Sequence, residues 1–349
     1  MNPMNRSTTT LRHARPIRAP ILAALSIVCI SRAFAAEPSC PAMTVMPLES
    51  KITASDRAAR FDGGGVALVK TLRIDTDGAA TAYHPENIGT THLCNGMNPY
   101  VDGRCLGVGK ADLEQCYPAI ARAQAAGWDR ERSPTFCVYG FEAPSSSHAG
   151  QKKLWGGKFG DGPLPLQGAG DPAPGFFISL TASQLPIKPG MSRVSANADA
   201  DRVPYVVVPS SFVGAQGPSD QRAGAALMRV KDRHLVGAMV ADAGGAIGEV
   251  SVAAAQLISD PAMKAPVPIT VDQLRSKKDL PFPYVVSSGF VRAYRNPDDG
   301  PYLVFAFSTR FGRADEYTKA KADQLSAAAF ERFGGAESLA KCAIAFLQK

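Results

Sequence analysis

The distribution of cysteines constrains the fold of this chain more than any other feature of its sequence. Six of the seven cysteines lie beyond residue 35: Cys40, Cys94, Cys105, Cys116, Cys137 and Cys342. None of them forms a C-x-x-C pair, so we do not expect a structural zinc site. An even number of cysteines in an exported chain favours disulfides, although the sequence leaves their pairing open. We expect local bonds among the four from Cys94 to Cys137 and a bond between Cys40 and Cys342.

The first 35 residues have the features of a secretory signal peptide. Arginines between Arg6 and Arg18 precede an apolar run from Ile21 to Ile30, and Ala33-Phe34-Ala35 fits a small-x-small cleavage site. The alternative is an anchor that stays attached, but the run is shorter than the roughly 20 residues that span a bilayer. We therefore expect residues 1–35 to be a signal peptide and the protein to be secreted or periplasmic.

Without that segment the chain carries little net charge. The segment holds five arginines, which leaves 33 basic against 31 acidic residues and lowers the net charge from +7 to +2. The rest of the chain contains no run of lysine or arginine interleaved with aromatic residues, so we predict no nucleic-acid partner. It also contains no apolar stretch long enough to enter a membrane. We expect a monomer without membrane contact after cleavage of the signal.

The pattern of apolar residues predicts many short strands and few helices. The predicted strands are 66–69, 72–74, 175–180, 205–208, 225–230, 235–240, 283–286 and 301–307. The predicted helices are about 110–126, 251–258 and two within 315–348. This pattern indicates a mainly β (α+β) fold, with a β-barrel core, disulfide-stapled loops and peripheral helices. We divide it into a polar lead-in (36–60), a barrel domain (61–263) and C-terminal strands and helices packed on that domain (264–349).

Asp242 and Glu249 are the best candidates for catalysis. Asp242 follows the apolar strand, where a carboxylate at the rim of a sheet can reach a ligand, and a loop with three glycines separates it from Glu249. The glycines allow the loop to fold back. Fully extended, the loop would hold the carboxylates roughly 23 Å apart, whereas inverting glycosidases need roughly 6.5–9.5 Å. The alternative is a solvated turn, because Asp and Gly mark turns in many proteins.

A second cluster of polar residues lies at Asp75 and Asp77, close to Tyr83 and His84. Two aspartates two positions apart share one face of a strand. They are candidate contacts for the ammonium group of an amino sugar, or for a cation, although the other ligands of a calcium loop are missing. The alternative is a simple hairpin turn. The scattered histidines, and the missing phosphate and dinucleotide loops, predict no metal and no cofactor.

The order of these motifs resembles glycoside hydrolase family 75, the fungal-type chitosanases, over roughly residues 70–260. The resemblance lies in Pro204-Tyr205-Val206-Val207-Val208-Pro209, in Val240-Ala241-Asp242 and in Ile247-Gly248-Glu249. Bacterial members are also similar in Ile74-Asp75-Thr76-Asp77-Gly78 and Ala82-Tyr83-His84-Pro85. The resemblance implies that residues 61–263 hydrolyse β-1,4 bonds of chitosan by inversion, with Asp242 and Glu249 catalytic. The Asp-to-Glu loop also looks like that of double-psi barrel enzymes that cut peptidoglycan, which implies a barrel of that type.

The expected function is therefore endo-hydrolysis of a polysaccharide, chitosan or a related amino-sugar glycan. Asp75, Asp77, Tyr83 and His84 are the candidate substrate contacts. We expect Glu249 to be the acid and Asp242 the base, with the reverse order open. Two alternatives remain, namely a peptidoglycan-cleaving enzyme that uses Asp242 alone and an exported protein that binds glycan without cutting it.

Overall fold

The β-branched and aromatic runs of the sequence form most of the strands in a computed structural model of the protein. The structure describes residues 39–144, 148–149, 152–214, 217–298, 300–310 and 317–349, so the expected signal peptide lies outside the described residues. The strands are β1 (Met43–Met46), β2 (Arg57–Phe61), β3 (Gly64–Val69), β4 (Arg73–Asp75), β5 (Met97–Val101), β6 (Arg104–Cys105), β7 (Phe136–Val138), β8 (His148–Ala149), β9 (Lys152–Trp155), β10 (Tyr205–Val208), β11 (Ala223–Arg229), β12 (Leu235–Ala243), β13 (Glu249–Ser251), β14 (Val285–Ser287), β15 (Phe290–Arg292) and β16 (Tyr302–Arg310). The helices are α1 (Lys110–Ala125), α2 (Val252–Ser259), α3 (Val271–Ser276), α4 (Lys319–Glu331) and α5 (Ala336–Leu347).

Nine strands form the main sheet, in the order β1-β2-β3-β16-β11-β12-β10-β13-β4. Most neighbours are antiparallel, but β10 with β12 and β13 with β4 are parallel pairs. The late strand β16 lies between β3 and β11, so the C-terminal region completes the same sheet as residues 61–263. The described part of the expected lead-in holds β1 and most of β2, at one edge of this sheet. The predicted mainly β fold with a few helices is confirmed.

A smaller sheet has the order β6-β5-β7-β9-β8, and helix α1 and two disulfides stabilise it. Cys94 is bonded to Cys116 on α1, and Cys105 on β6 is bonded to Cys137 on β7. The third disulfide joins Cys40 to Cys342. The local pairing and the bond between the distant cysteines are therefore as predicted. Among the described residues, no helix is both long and apolar enough to cross a membrane.

Several predicted elements are confirmed, and one is wrong. The hairpin β11–β12 and the strands β10 and β16 have the predicted positions, and Ser251 caps α2 by accepting a hydrogen bond from the backbone N–H of Ala254. The predicted strand at 175–180 does not form. Its residues make only isolated bridges to two separate partners, Phe177 to Leu166 and Ser179 to Phe141. Its backbone groups form hydrogen bonds with three separate stretches, at Tyr83, at 140–142 and at Gln167, and so find partners without a regular strand pairing.

Side chains of β12 alternate between two buried cores, as expected for a strand covered on both faces. Val236, Ala238 and Val240 pack against α2 in one core. Met239 and Ala241 belong to the other core, which also contains residues of β10 and of the small sheet. The small sheet therefore covers one face of the main sheet near the C-terminal end of β12.

Candidate functional site

A bulge turns Asp242 toward the face that the small sheet covers. Strict alternation would place Asp242 with Val240, on the face of α2. The pairing of β10 with β12 skips Ala241, however, because Val206 pairs with Val240 and Val207 pairs with Asp242. An extra residue of this kind redirects the side chains that follow it. Asp242 consequently shares a face with Val207, which lines a cavity there.

The next two strand pairings bring Glu249 and Asp75 to the same face. Val207 pairs with Glu249 across β10 and β13, and Ser251 pairs with Asp75 across β13 and β4. Cross-strand partners share a face, and so do residues two apart on one strand. Asp242 and Glu249 lie on opposite sides of β10, so two strand spacings, about 10 Å, separate their backbones.

Asp75, Asp77, Asp242 and Glu249 together line a cavity of about 940 Å³ between the two sheets. Two motifs that are far apart in the sequence thus form one cluster of four carboxylates. The facing wall comes from Tyr139 and Lys153 of the small-sheet region and from residues 180–184. Arg222 also lines the cavity. The structure therefore joins the candidate catalytic residues and two of the candidate substrate contacts in one place.

Two backbone N–H groups hold the Asp242 carboxyl in position. The N–H of Ala243 donates to Asp242 Oδ1 at 2.7 Å, and the N–H of Ala182 donates to the same oxygen at 3.0 Å. Burial, and next the negative charge of Asp75, raise the pKa of Asp242 to about 8, although the two hydrogen bonds oppose the shift. Asp242 therefore keeps its proton to a higher pH than an exposed aspartate does.

The loop from 243 to 248 folds back so closely that Gly245 touches Glu249. A Cβ atom at Gly245 would lie 1.9 Å from Glu249 Oε2 and 2.9 Å from Val207 Cγ1, so a larger residue here would displace the Glu249 carboxyl. The N–H of Ala246 donates to Glu249 Oε2 at 3.2 Å. Burial, and next the charge of Asp75, raise the pKa of Glu249 to about 7, while the charge of Arg73 opposes the shift. The glycines thus have the role that the sequence predicted.

Two buried tyrosines fix Asp75 and Asp77. The Tyr205 hydroxyl donates to Asp75 Oδ2 at 3.1 Å and lies 2.7 Å from the backbone oxygen of Asp77. The Tyr83 hydroxyl donates to Asp77 Oδ1 at 2.6 Å, and the N–H of Asp77 donates to Asp75 Oδ1 at 2.9 Å. Burial raises the pKa of both carboxyls, and the charge of Asp75 contributes further to the raised pKa of Asp77. The cluster therefore binds protons more readily than exposed carboxylates do.

The remaining predicted contacts occupy different positions. Tyr83 is buried and reaches the site through its bond to Asp77. His84 lines neither cavity that contains the carboxylates; its ring packs edge-on against Phe176, and Nδ1 accepts a hydrogen bond from the N–H of Glu86. Sequence reasoning missed the role of Tyr205. Its only signal was a tyrosine hydroxyl inside an apolar strand, which needs a buried partner.

Among the residues that the structure describes, no group of three or more His, Cys, Asp or Glu side chains has an arrangement that could hold a metal ion. No protein-family model matches the chain, and no curated protein matches it either.

Proposed function

We propose that this protein hydrolyses β-1,4 glycosidic bonds of chitosan or a related glucosamine polysaccharide. The observation that carries the proposal is the single cavity lined by four carboxylates, two of which have pKa values near neutrality, about 8 for Asp242 and about 7 for Glu249. General acid and base groups work best when their pKa lies near the operating pH. An acidic cavity of this size also suits a cationic glycan.

Asp242 is the acid and Glu249 the base in this proposal, the reverse of the order that we expected from the sequence. Asp242 has the higher pKa, and both of its backbone hydrogen bonds reach Oδ1, so its proton lies on Oδ2. This proton passes to the glycosidic oxygen as the bond to the anomeric carbon breaks. Glu249 takes a proton from the attacking water. The strand register separates the two backbones by about 10 Å, and we propose that the carboxyl groups keep the wider spacing that inversion needs.

The finer description of the fold and the site of action belong to the same proposal. We propose that the main sheet curls into a barrel of the double-psi type, which the two parallel pairs in a mostly antiparallel sheet support. Secretion or periplasmic export of a monomer fits the three disulfides, because oxidising compartments allow such bonds to persist.

One observation favours a second candidate, a peptidoglycan-cleaving enzyme in which Asp242 acts alone. Burial and the charge of Asp75 raise the pKa of Asp242 more than the charge of Glu249 does, so Asp242 would keep most of its raised pKa without Glu249. A protein that only binds glycan is the third possibility.

Two isosteric variants separate these functions when reducing ends are measured with soluble glucosamine hexamer and with purified peptidoglycan. A chitosanase loses hydrolysis of the hexamer in both Asp242→Asn and Glu249→Gln. An enzyme that uses Asp242 alone cuts only peptidoglycan and tolerates Glu249→Gln. Binding of the hexamer without any new reducing ends would contradict both enzymes. Asp62→Asn is the control, because Asp62 is exposed and far along the sheet from the cluster.

A further inference from the structure

A second, smaller cavity of about 220 Å³ lies against the same carboxylates. Asp75, Asp77 and Glu249 line both cavities, so the large cavity and the small one are neighbours at these carboxylates. The remaining walls of the small cavity include Thr90, Thr91, Asn95 and Tyr294. Its polar walls offer hydroxyl and amide groups, and Tyr294 adds an aromatic ring that is 53% exposed.

The buried side chain of Arg292 holds the two walls of the small cavity together. Its guanidinium donates to the backbone oxygens of Gly89 and Asn87, in the loop that leads to Thr90 and Thr91. The N–H of Ala293, between Arg292 and Tyr294, also donates to the backbone oxygen of Thr90 at 3.3 Å. An arginine that is 4% exposed and bonded on several sides has little freedom to move. These contacts hold the backbone next to Tyr294 against the loop that carries Thr90 and Thr91 before any ligand binds.

Asp77 and Glu249 are the carboxylates in this cavity with an oxygen that accepts no hydrogen bond from the described residues, and Glu249 is already assigned as the base. Both oxygens of Asp75 accept hydrogen bonds, from the N–H of Asp77 and the hydroxyl of Tyr205. In the described part of the chain, the side-chain hydrogen bond to Asp77 comes from Tyr83 and reaches Oδ1. A cation that approaches the small cavity would therefore pair with Asp77 Oδ2.

We infer that the small cavity is a subsite for one glucosamine residue next to the bond that is cut, with Tyr294 stacked on the sugar ring and Asp77 paired with its ammonium group. This inference rests on the proposed function and deepens it. The volume suits a single pyranose, whereas the larger cavity holds a longer piece of the chain. An N-acetylglucosamine residue is disfavoured here, because its amide brings no charge to the buried carboxylate.

The test measures kcat and KM for the glucosamine hexamer in Tyr294→Ala and in Tyr117→Ala. Tyr117 is a matched control, since it is 48% exposed and does not line the cavity. We expect Tyr294→Ala to raise KM about tenfold, the size of a lost stacking contact, with kcat nearly unchanged. Tyr294→Phe keeps the ring and should restore most of the affinity, and Tyr117→Ala should behave as the wild type.

A second measurement uses calorimetry to compare the affinities of the glucosamine hexamer and the N-acetylglucosamine hexamer. Both are measured with the inactive variant Asp242→Asn and with the double variant that also carries Asp77→Asn. We expect the preference for glucosamine to be lost with Asp77→Asn. If the wild type cuts the hexamer but Tyr294→Ala matches Tyr117→Ala, the subsite is refuted and the proposed function stands. If the wild type does not cut the hexamer, the proposed function fails. Hexamer binding that is weakened in Tyr294→Ala would then still support the subsite, and binding that is unchanged in Tyr294→Ala would refute it.

Discussion

Asp75 is the residue whose charge most affects the proposed acid and base. It is the second cause, after burial, of the raised pKa of both Asp242 and Glu249. Asp75 lies on the strand next to Glu249, two positions beyond the partner of Glu249, so their backbones are about 8 Å apart. At that distance and an effective dielectric constant of about 20, two charges interact by about 2 kcal/mol, or about 1.5 pH units.

Asp75→Asn should therefore move the acid limb of the activity profile down by up to about 1.5 pH units, because Glu249 loses its proton more easily. The amide keeps the shape of the carboxylate. Its oxygen can accept from the N–H of Asp77, and its NH2 group can donate to the Tyr205 hydroxyl, which still donates to the backbone oxygen of Asp77. The assay is kcat/KM for the soluble glucosamine hexamer over a wide pH range at constant ionic strength, with Asp62→Asn as the control. An acid limb that does not move in Asp75→Asn would refute the electrostatic account of the site.

Three further predictions concern stability and the glycine loop. The folded-state pKa of Asp242 is raised from 3.8 to about 8, so between these two pH values the folded protein binds more protons than the unfolded chain. The free energy of unfolding therefore falls as the pH rises from 3.8 to about 8. Asp242→Asn should remove part of that fall and raise the melting temperature at pH 8 but not near pH 3, and calorimetric scans that show no such difference would contradict it. Gly245→Ala should lower kcat at least tenfold, because its Cβ displaces Glu249, while circular dichroism shows an intact fold; normal activity would refute this packing. Replacing Cys40 and Cys342 by serine should lower the free energy of unfolding by roughly 4 kcal/mol without lowering kcat at low temperature, and unchanged denaturation by urea would contradict it.

Local patterns in the sequence predicted the elements, whereas non-local pairing determined the site. The apolar run of β12, the turn to β11 and the cap at Ser251 are local, and each formed as expected. The meeting of Asp75 with Glu249 depends on the parallel pairing of β4 with β13, which no local pattern specifies. The direction of Asp242 depends on a bulge at Ala241, and a strand of small apolar residues gives no sign of where a bulge falls.

The small sheet was also beyond prediction, for a different reason. Its strands are two to five residues long, too short for alternation to be visible. The disulfide between Cys105 and Cys137 joins two of them, so cross-linking supplies stability that the sequence pattern does not display. The segment 175–180 shows the opposite failure, since its apolar residues look like a strand but its backbone bonds to three separate stretches of the chain.

The central claim is that the four-carboxylate cavity cuts glucosamine polysaccharide with Asp242 as an essential acid. The most direct measurement is the release of reducing ends from fully deacetylated chitosan by the wild type, Asp242→Asn and the control Asp62→Asn, each checked for an intact fold. We expect steady release by the wild type and by Asp62→Asn, and almost none by Asp242→Asn. Release by Asp242→Asn at the wild-type rate, or no release by the wild type, would contradict it.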